Sequence, residues 1–85
     1  MEVVFTEQAL ADIRFWKKSG NFKIQKRISA LILSVKESPF SGIGKPEPLK
    51  HNLAGHWSRR INEVHRLVYK TEGEIITIIS ARFHY

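Results

Sequence analysis

Without a cysteine anywhere, this chain has neither a disulfide framework nor a thiolate metal site, and its fold must rest on side-chain packing. Its 85 residues sit just above the size at which one hydrophobic core stabilises a domain without staples. A single domain over residues 1–85 is therefore expected, with no room for a linker. No apolar run approaches membrane-spanning length, and the N-terminus shows no basic segment followed by a long apolar stretch. A cytoplasmic protein with no membrane association is the expectation.

Charge narrows the choice of partners. Fourteen Lys and Arg against eight Asp and Glu give a net charge of +6 and a pI near 10.0, a strong field for so small a body. Between Arg14 and Lys36 lie seven basic residues and no acidic one. Ordinary soluble helices mix both signs for i, i+4 pairing and solubility, so this asymmetry points to a polyanion such as RNA.

Periodicity divides the chain into a helical half and a strand-rich half. A short strand is expected over 3–6, then a helix from Glu7 with Thr6 as its N-cap and Leu10, Ile13 and Trp16 at helical spacing. Ser19-Gly20-Asn21 interrupts it, and Ile24, Ile28, Leu31, Ile32 and Val35 form the apolar stripe of a second helix that Pro39 ends. Beyond a Gly- and Pro-marked loop, segments 49–53, 57–61, 65–71 and 75–82 read as strands separated by turn signals. The predicted class is α+β: two N-terminal helices packed on one face of a small twisted antiparallel sheet. The other face is left free as a concave basic surface.

Two places carry chemistry. Glu47 stands between Pro46 and Pro48, which stiffen the backbone and aim the carboxylate, and Lys45 and Lys50 flank it with charge that attracts an anion. The apolar run Ile75-Ile76-Thr77-Ile78-Ile79 leads, through Ser80, into the end Ala81-Arg82-Phe83-His84-Tyr85. A buried strand leading into this end would hold His84 and Tyr85 at a rigid sheet edge. Taken separately, Glu47 also reads as an incidental glutamate on a rigid turn, and the terminal pair as packing.

Together with Arg66, and with Lys50, Arg59 and Arg60 as basic neighbours, these residues supply the parts for cleaving RNA without a metal. A carboxylate accepts the ribose 2′-hydroxyl proton, a guanidinium neutralises the phosphorane, and an imidazole with an ordinary pKa of about 6.5 protonates the departing 5′-oxygen. Alternation along a strand sends Arg59 and Arg60 to opposite faces, so at most one enters the cleft. His51, His56, His65 and His84 lack the spacing of a metal site, and no cofactor is called for. His65 and Tyr69 read as a partly buried pair, and Trp57 as core or a cleft wall.

The segments Gly44-Lys45-Pro46-Glu47-Pro48-Leu49-Lys50-His51-Asn52-Leu53, Trp57-Ser58-Arg59-Arg60-Ile61, His65-Arg66-Leu67-Val68-Tyr69 and Arg82-Phe83-His84-Tyr85 closely resemble the YoeB/Txe toxins of the RelE superfamily. That resemblance implies a RelE-like fold and the toxin half of a type II toxin–antitoxin pair that cuts messenger RNA in the ribosomal A site. It implies Glu47 as general base, Arg66 as phosphate stabiliser, His84 as general acid and Tyr85 as a terminal residue that orients the substrate. Lys45, Lys50, Arg59 and Arg60 are the expected RNA contacts. The implied partners are an acidic antitoxin of the YefM/Axe kind, the 70S ribosome and its mRNA, with homodimerisation open. Phe83 departs from the family, where tyrosine is frequent, as does His56 before the tryptophan. Two alternatives stand beside this reading: a ParE-like toxin acting on DNA gyrase, and a basic RNA-binding module without catalysis.

Overall fold

The computed structural model describes residues 1–83. Strand β1 (Glu2–Phe5) leads into helix α1 (Glu7–Ser19), followed by helix α2 (Phe22–Glu37), strand β2 (Glu47–Pro48), a 3-10 turn (His51–Leu53), and strands β3 (His56–Arg60), β4 (Arg66–Glu72) and β5 (Ile75–Ser80).

Thr6 caps α1 as the sequence suggests: its Oγ accepts the Ala9 N–H at 3.0 Å and donates to the Ile79 carbonyl at 2.7 Å, tying the helix start to β5. Gly20 ends α1 in the left-handed conformation at φ 72°, where a residue without Cβ is least strained. The Asn21 side chain then accepts from the Ile24 N–H and opens α2. Ser38 leaves helical geometry ahead of Pro39.

The sheet runs in the order β1-β5-β4-β3-β2. The α+β class with two helices against one face is the expected one. The sheet itself is mixed, because β1 joins β5 in parallel while every other pair is antiparallel. Ala9 and Trp16 of α1 and Ile24, Ile28, Leu31 and Val35 of α2 meet Leu67, Tyr69, Ile76 and Ile78 of the sheet in one core. Trp57 packs on this helix-side layer and against the Phe40 ring.

Two of the expected strands differ by more than one residue, the others being shifted by a single position. Segment 49–53 is no strand but leads into a 3-10 turn at His51–Leu53: His51 takes φ 60°, which breaks extended geometry, and the preceding pairing is confined to Glu47 and Pro48. The last strand stops at Ser80 rather than 82, because the Ala81 backbone turns to side chains of α1. No helix among the described residues is long and apolar enough to cross a membrane.

Candidate active site

On β3, the side chains alternate between the two faces of the sheet, and this alternation sorts the arginine pair. Trp57 and Arg59 lie opposite Tyr69 and Leu67 on the helix side, so Ser58 and Arg60 fall on the other face, opposite Val68 and Arg66. Glu47 pairs with Ser58 across β2 and β3. The register therefore lines up Glu47, Ser58 and Val68 across three strands, with Arg60 and Arg66 one pair further along the same face.

Glu47, Leu49, Ser58 and Arg66 line a shallow depression of about 110 Å³ there. Ser58 forms its buried floor, and Glu47 is exposed at its rim. Among the described residues the one ion pair is Lys70 with Glu72, so the Glu47 carboxylate and the Arg66 guanidinium are not tied to each other or to another charge there. Arg66 makes one long side-chain hydrogen bond, from Nη1 to the Asn62 carbonyl at 3.4 Å. Its backbone N–H donates to the Phe83 carbonyl at 2.8 Å, which brings the end of the described chain alongside the guanidinium-bearing residue. Lys45 and Lys50 are exposed on either side of Glu47, and Arg60 is exposed opposite Arg66. A carboxylate and a cation left free on one face can act on a phosphodiester from two sides.

Arg59 is a correction to the sequence reading. It is 0% exposed and faces the helices, so it is not available to RNA. All five of its N–H groups are engaged: Nε donates to the Tyr69 hydroxyl at 3.1 Å, Nη1 to Ser34 Oγ at 2.6 Å and the Ile43 carbonyl at 3.1 Å, and Nη2 to the Ser38 and Ser41 carbonyls at 2.6 and 2.8 Å. The Tyr69 hydroxyl in turn donates to the Pro39 carbonyl at 2.6 Å. This network fastens the loop 38–46 that delivers Glu47. Burial pushes the Tyr69 phenol above its ordinary value of 10.0, an effect that its hydrogen bond from Arg59 and the Arg59 charge partly offset. Tyr69 is thus fully buried, whereas His65 lies just before β4, edge-on to Trp16.

His84 and Tyr85 lie outside the described residues. Among the described residues no group of three or more His, Cys, Asp or Glu side chains is placed to hold a metal ion. Of the basic residues on the helices, Lys23, Lys26 and Arg27 line a second groove of about 710 Å³ between α2, Ile61 and Asn62, and Arg27 Nη2 donates to the Arg60 carbonyl at 3.2 Å.

Residues 5–85 match the model of a family described as YoeB-like toxin of bacterial type II toxin-antitoxin system. The chain belongs to that family. It is 52% identical to the toxin YoeB of Synechocystis over 85 residues, covering all of this chain and 98% of the relative. Among solved structures, a YoeB/ParE toxin from Agrobacterium tumefaciens superposes with a TM-score of 0.95 at 42% identity, each chain covered in full. A YoeB-YefM complex from Staphylococcus aureus gives 0.89 at 42% identity, covering all of this chain and 98% of that one. The YoeB-like fold thus carries its Glu47 depression on the sheet face turned away from the helices.

Proposed function

We propose that this YoeB-like toxin is a ribosome-dependent endoribonuclease that cuts messenger RNA in the A site and so stops translation. The observation that carries it is the convergence of Glu47 and Arg66, from β2 and β4, on one depression, with the Arg66 backbone N–H bonded to the Phe83 carbonyl. Glu47 takes the proton of the ribose 2′-hydroxyl, and the 2′-oxygen forms a bond to phosphorus. Arg66 neutralises the charge of the phosphorane. The bond from phosphorus to the 5′-oxygen breaks, and His84 gives that oxygen its proton. The products are a 2′,3′-cyclic phosphate and a free 5′-hydroxyl, so atoms and charge balance without a water or a metal. Tyr85 is assigned to orienting the substrate, and Lys45, Lys50 and Arg60 to holding the RNA backbone.

A net charge of +6 suits both the ribosomal RNA around such a message and an acidic antitoxin of the YefM kind that orders on binding and covers the site. The test is incubation with 70S ribosomes programmed with one end-labelled message, followed by mapping of the cut ends. Cyclic or 3′-phosphate ends with 5′-hydroxyl partners are expected, and a single 2′-deoxy substitution at the cut should block cleavage. Ends bearing a 5′-phosphate, or an uncut message, overturn the proposal.

A further inference from the structure

Beyond β5, the chain runs through three residues that are gripped from both sides. The Ala81 N–H donates to Asp12 Oδ2 at 2.9 Å, and its carbonyl accepts from Trp16 Nε1 at 2.9 Å, both partners lying on α1. Asp12 is 4% exposed, and its second oxygen accepts from the Gln8 side chain at 2.8 Å. The Arg82 guanidinium sits 3.5 Å from the Phe15 ring centroid. At Phe83 both backbone groups are taken again: the carbonyl by the Arg66 N–H, and the N–H by His65 Nδ1 at 2.7 Å. Phe83 adopts φ 63°, a left-handed conformation that is unfavourable by about 1–2 kcal/mol for a residue with a Cβ. Such a conformation persists where its surroundings over-determine it, as two short hydrogen bonds do here.

The imidazole stands in for a backbone acceptor. The His65 carbonyl already accepts from the Ile61 and Asn62 N–H groups at 3.0 and 3.3 Å, so the ring receives the Phe83 N–H. A backbone N–H can only donate, so Nδ1 must present its lone pair, which fixes the ring as the Nε2–H tautomer. Trp16, itself bonded to Ala81, holds that ring edge-on at 4.8 Å between centroids.

We propose that His65 is a positioning residue whose Nδ1 lone pair sets Phe83, the residue from which the chain continues to His84, in register with Arg66. The consequence for cleavage rests on the endoribonuclease reading above; the hydrogen bond itself does not. Residues 65 and 66 would then act as a unit, one carrying the proposed phosphate stabiliser and the other holding the approach to the proposed acid.

Two measurements on the full chain test this. In the 15N-labelled protein at neutral pH, His65 should show an unprotonated Nδ1 and a protonated Nε2, with a through-bond coupling between the Phe83 amide nitrogen and His65 Nδ1. A protonated Nδ1, or a Phe83 amide that exchanges as freely as an exposed one, overturns the proposal. In single-turnover cleavage on programmed ribosomes, His65→Leu keeps bulk against Trp16 but offers no acceptor, and should lower the maximal cleavage rate by about tenfold or more with the half-saturating toxin concentration nearly unchanged. His65→Asn places a carboxamide oxygen near the Nδ1 position and should recover most of the rate. A folded His65→Leu protein that cleaves at the wild-type rate sinks the proposal. Should that variant not fold, the coupling in the wild type decides alone. Wild-type protein that cuts no message removes the cleavage reading, and the coupling still decides whether His65 holds Phe83.

Discussion

Replacing Arg59 should do most of its damage through the loop that carries Glu47. The guanidinium is fully buried and gives five hydrogen bonds, to Ser34, Ser38, Ser41, Ile43 and Tyr69. Hydrogen bonds from a charged donor contribute roughly 1.5–3 kcal/mol each, so the gross total is large. Three of the five acceptors are carbonyls of the loop 38–46, which can turn to water once released, and methionine keeps the apolar stem in place. The net loss for Arg59→Met is therefore about 3–5 kcal/mol, a large part of the roughly 5–10 kcal/mol that holds a domain of this size together. Arg59→Lys retains the charge but offers three donors in place of a five-donor fork, and should lose about half as much. Urea unfolding followed by the fluorescence of Trp16 and Trp57 measures both. Hydrogen exchange should show the amides of the loop opening in Arg59→Met before those of β4 and β5. An Arg59→Met protein within about 1 kcal/mol of the wild type, with loop exchange unchanged, would show that the guanidinium does not hold this loop.

Glu47→Gln should lower single-turnover cleavage by at least about tenfold while leaving urea unfolding unchanged, because the carboxylate is exposed and in no ion pair among the described residues. Cleavage at the wild-type rate would remove it as the base. Gly44→Ala should destabilise by about 1–3 kcal/mol, since Gly44 sits at φ 83° and a Cβ there would lie 2.6 Å from Leu31 Cδ2. Gly73→Ala, at φ 58° with open space around it, should be milder in the same assay; equal losses would discount the steric contact. The raised pKa of Tyr69 favours its neutral form in the folded protein, so its contribution is fully present below the ordinary value of 10.0 and fades as pH rises through the folded value. Tyr69→Phe should therefore be less stable than the wild type at about pH 8, with the gap narrowing toward about pH 11; a constant gap would refute the titration.

Much of the architecture is legible in the residue order because its causes are local. Thr6, Gly20, Asn21 and Pro39 mark helix ends by capping and backbone preference, and the stripe from Ile24 to Val35 marks a core face by period alone. Strand alternation likewise foretold that Arg59 and Arg60 would part, because adjacent side chains on a strand point to opposite faces. Which of them turns inward is a tertiary decision: the register of β3 on β4 puts Arg59 under the helices, where acceptors from α2, β4 and the loop converge on it. The parallel pairing of β1 with β5 and the end of β5 at Ser80 are equally non-local. They depend on partners about 70 residues apart in sequence, such as Asp12 with Ala81, that no window of neighbouring residues reports. Proximity of Glu47 to Arg66 belongs to the same class: the sequence by itself determined which ionisable groups were available, and the sheet register decided that these two share a face, because pairing geometry is set by packing across strands rather than along them.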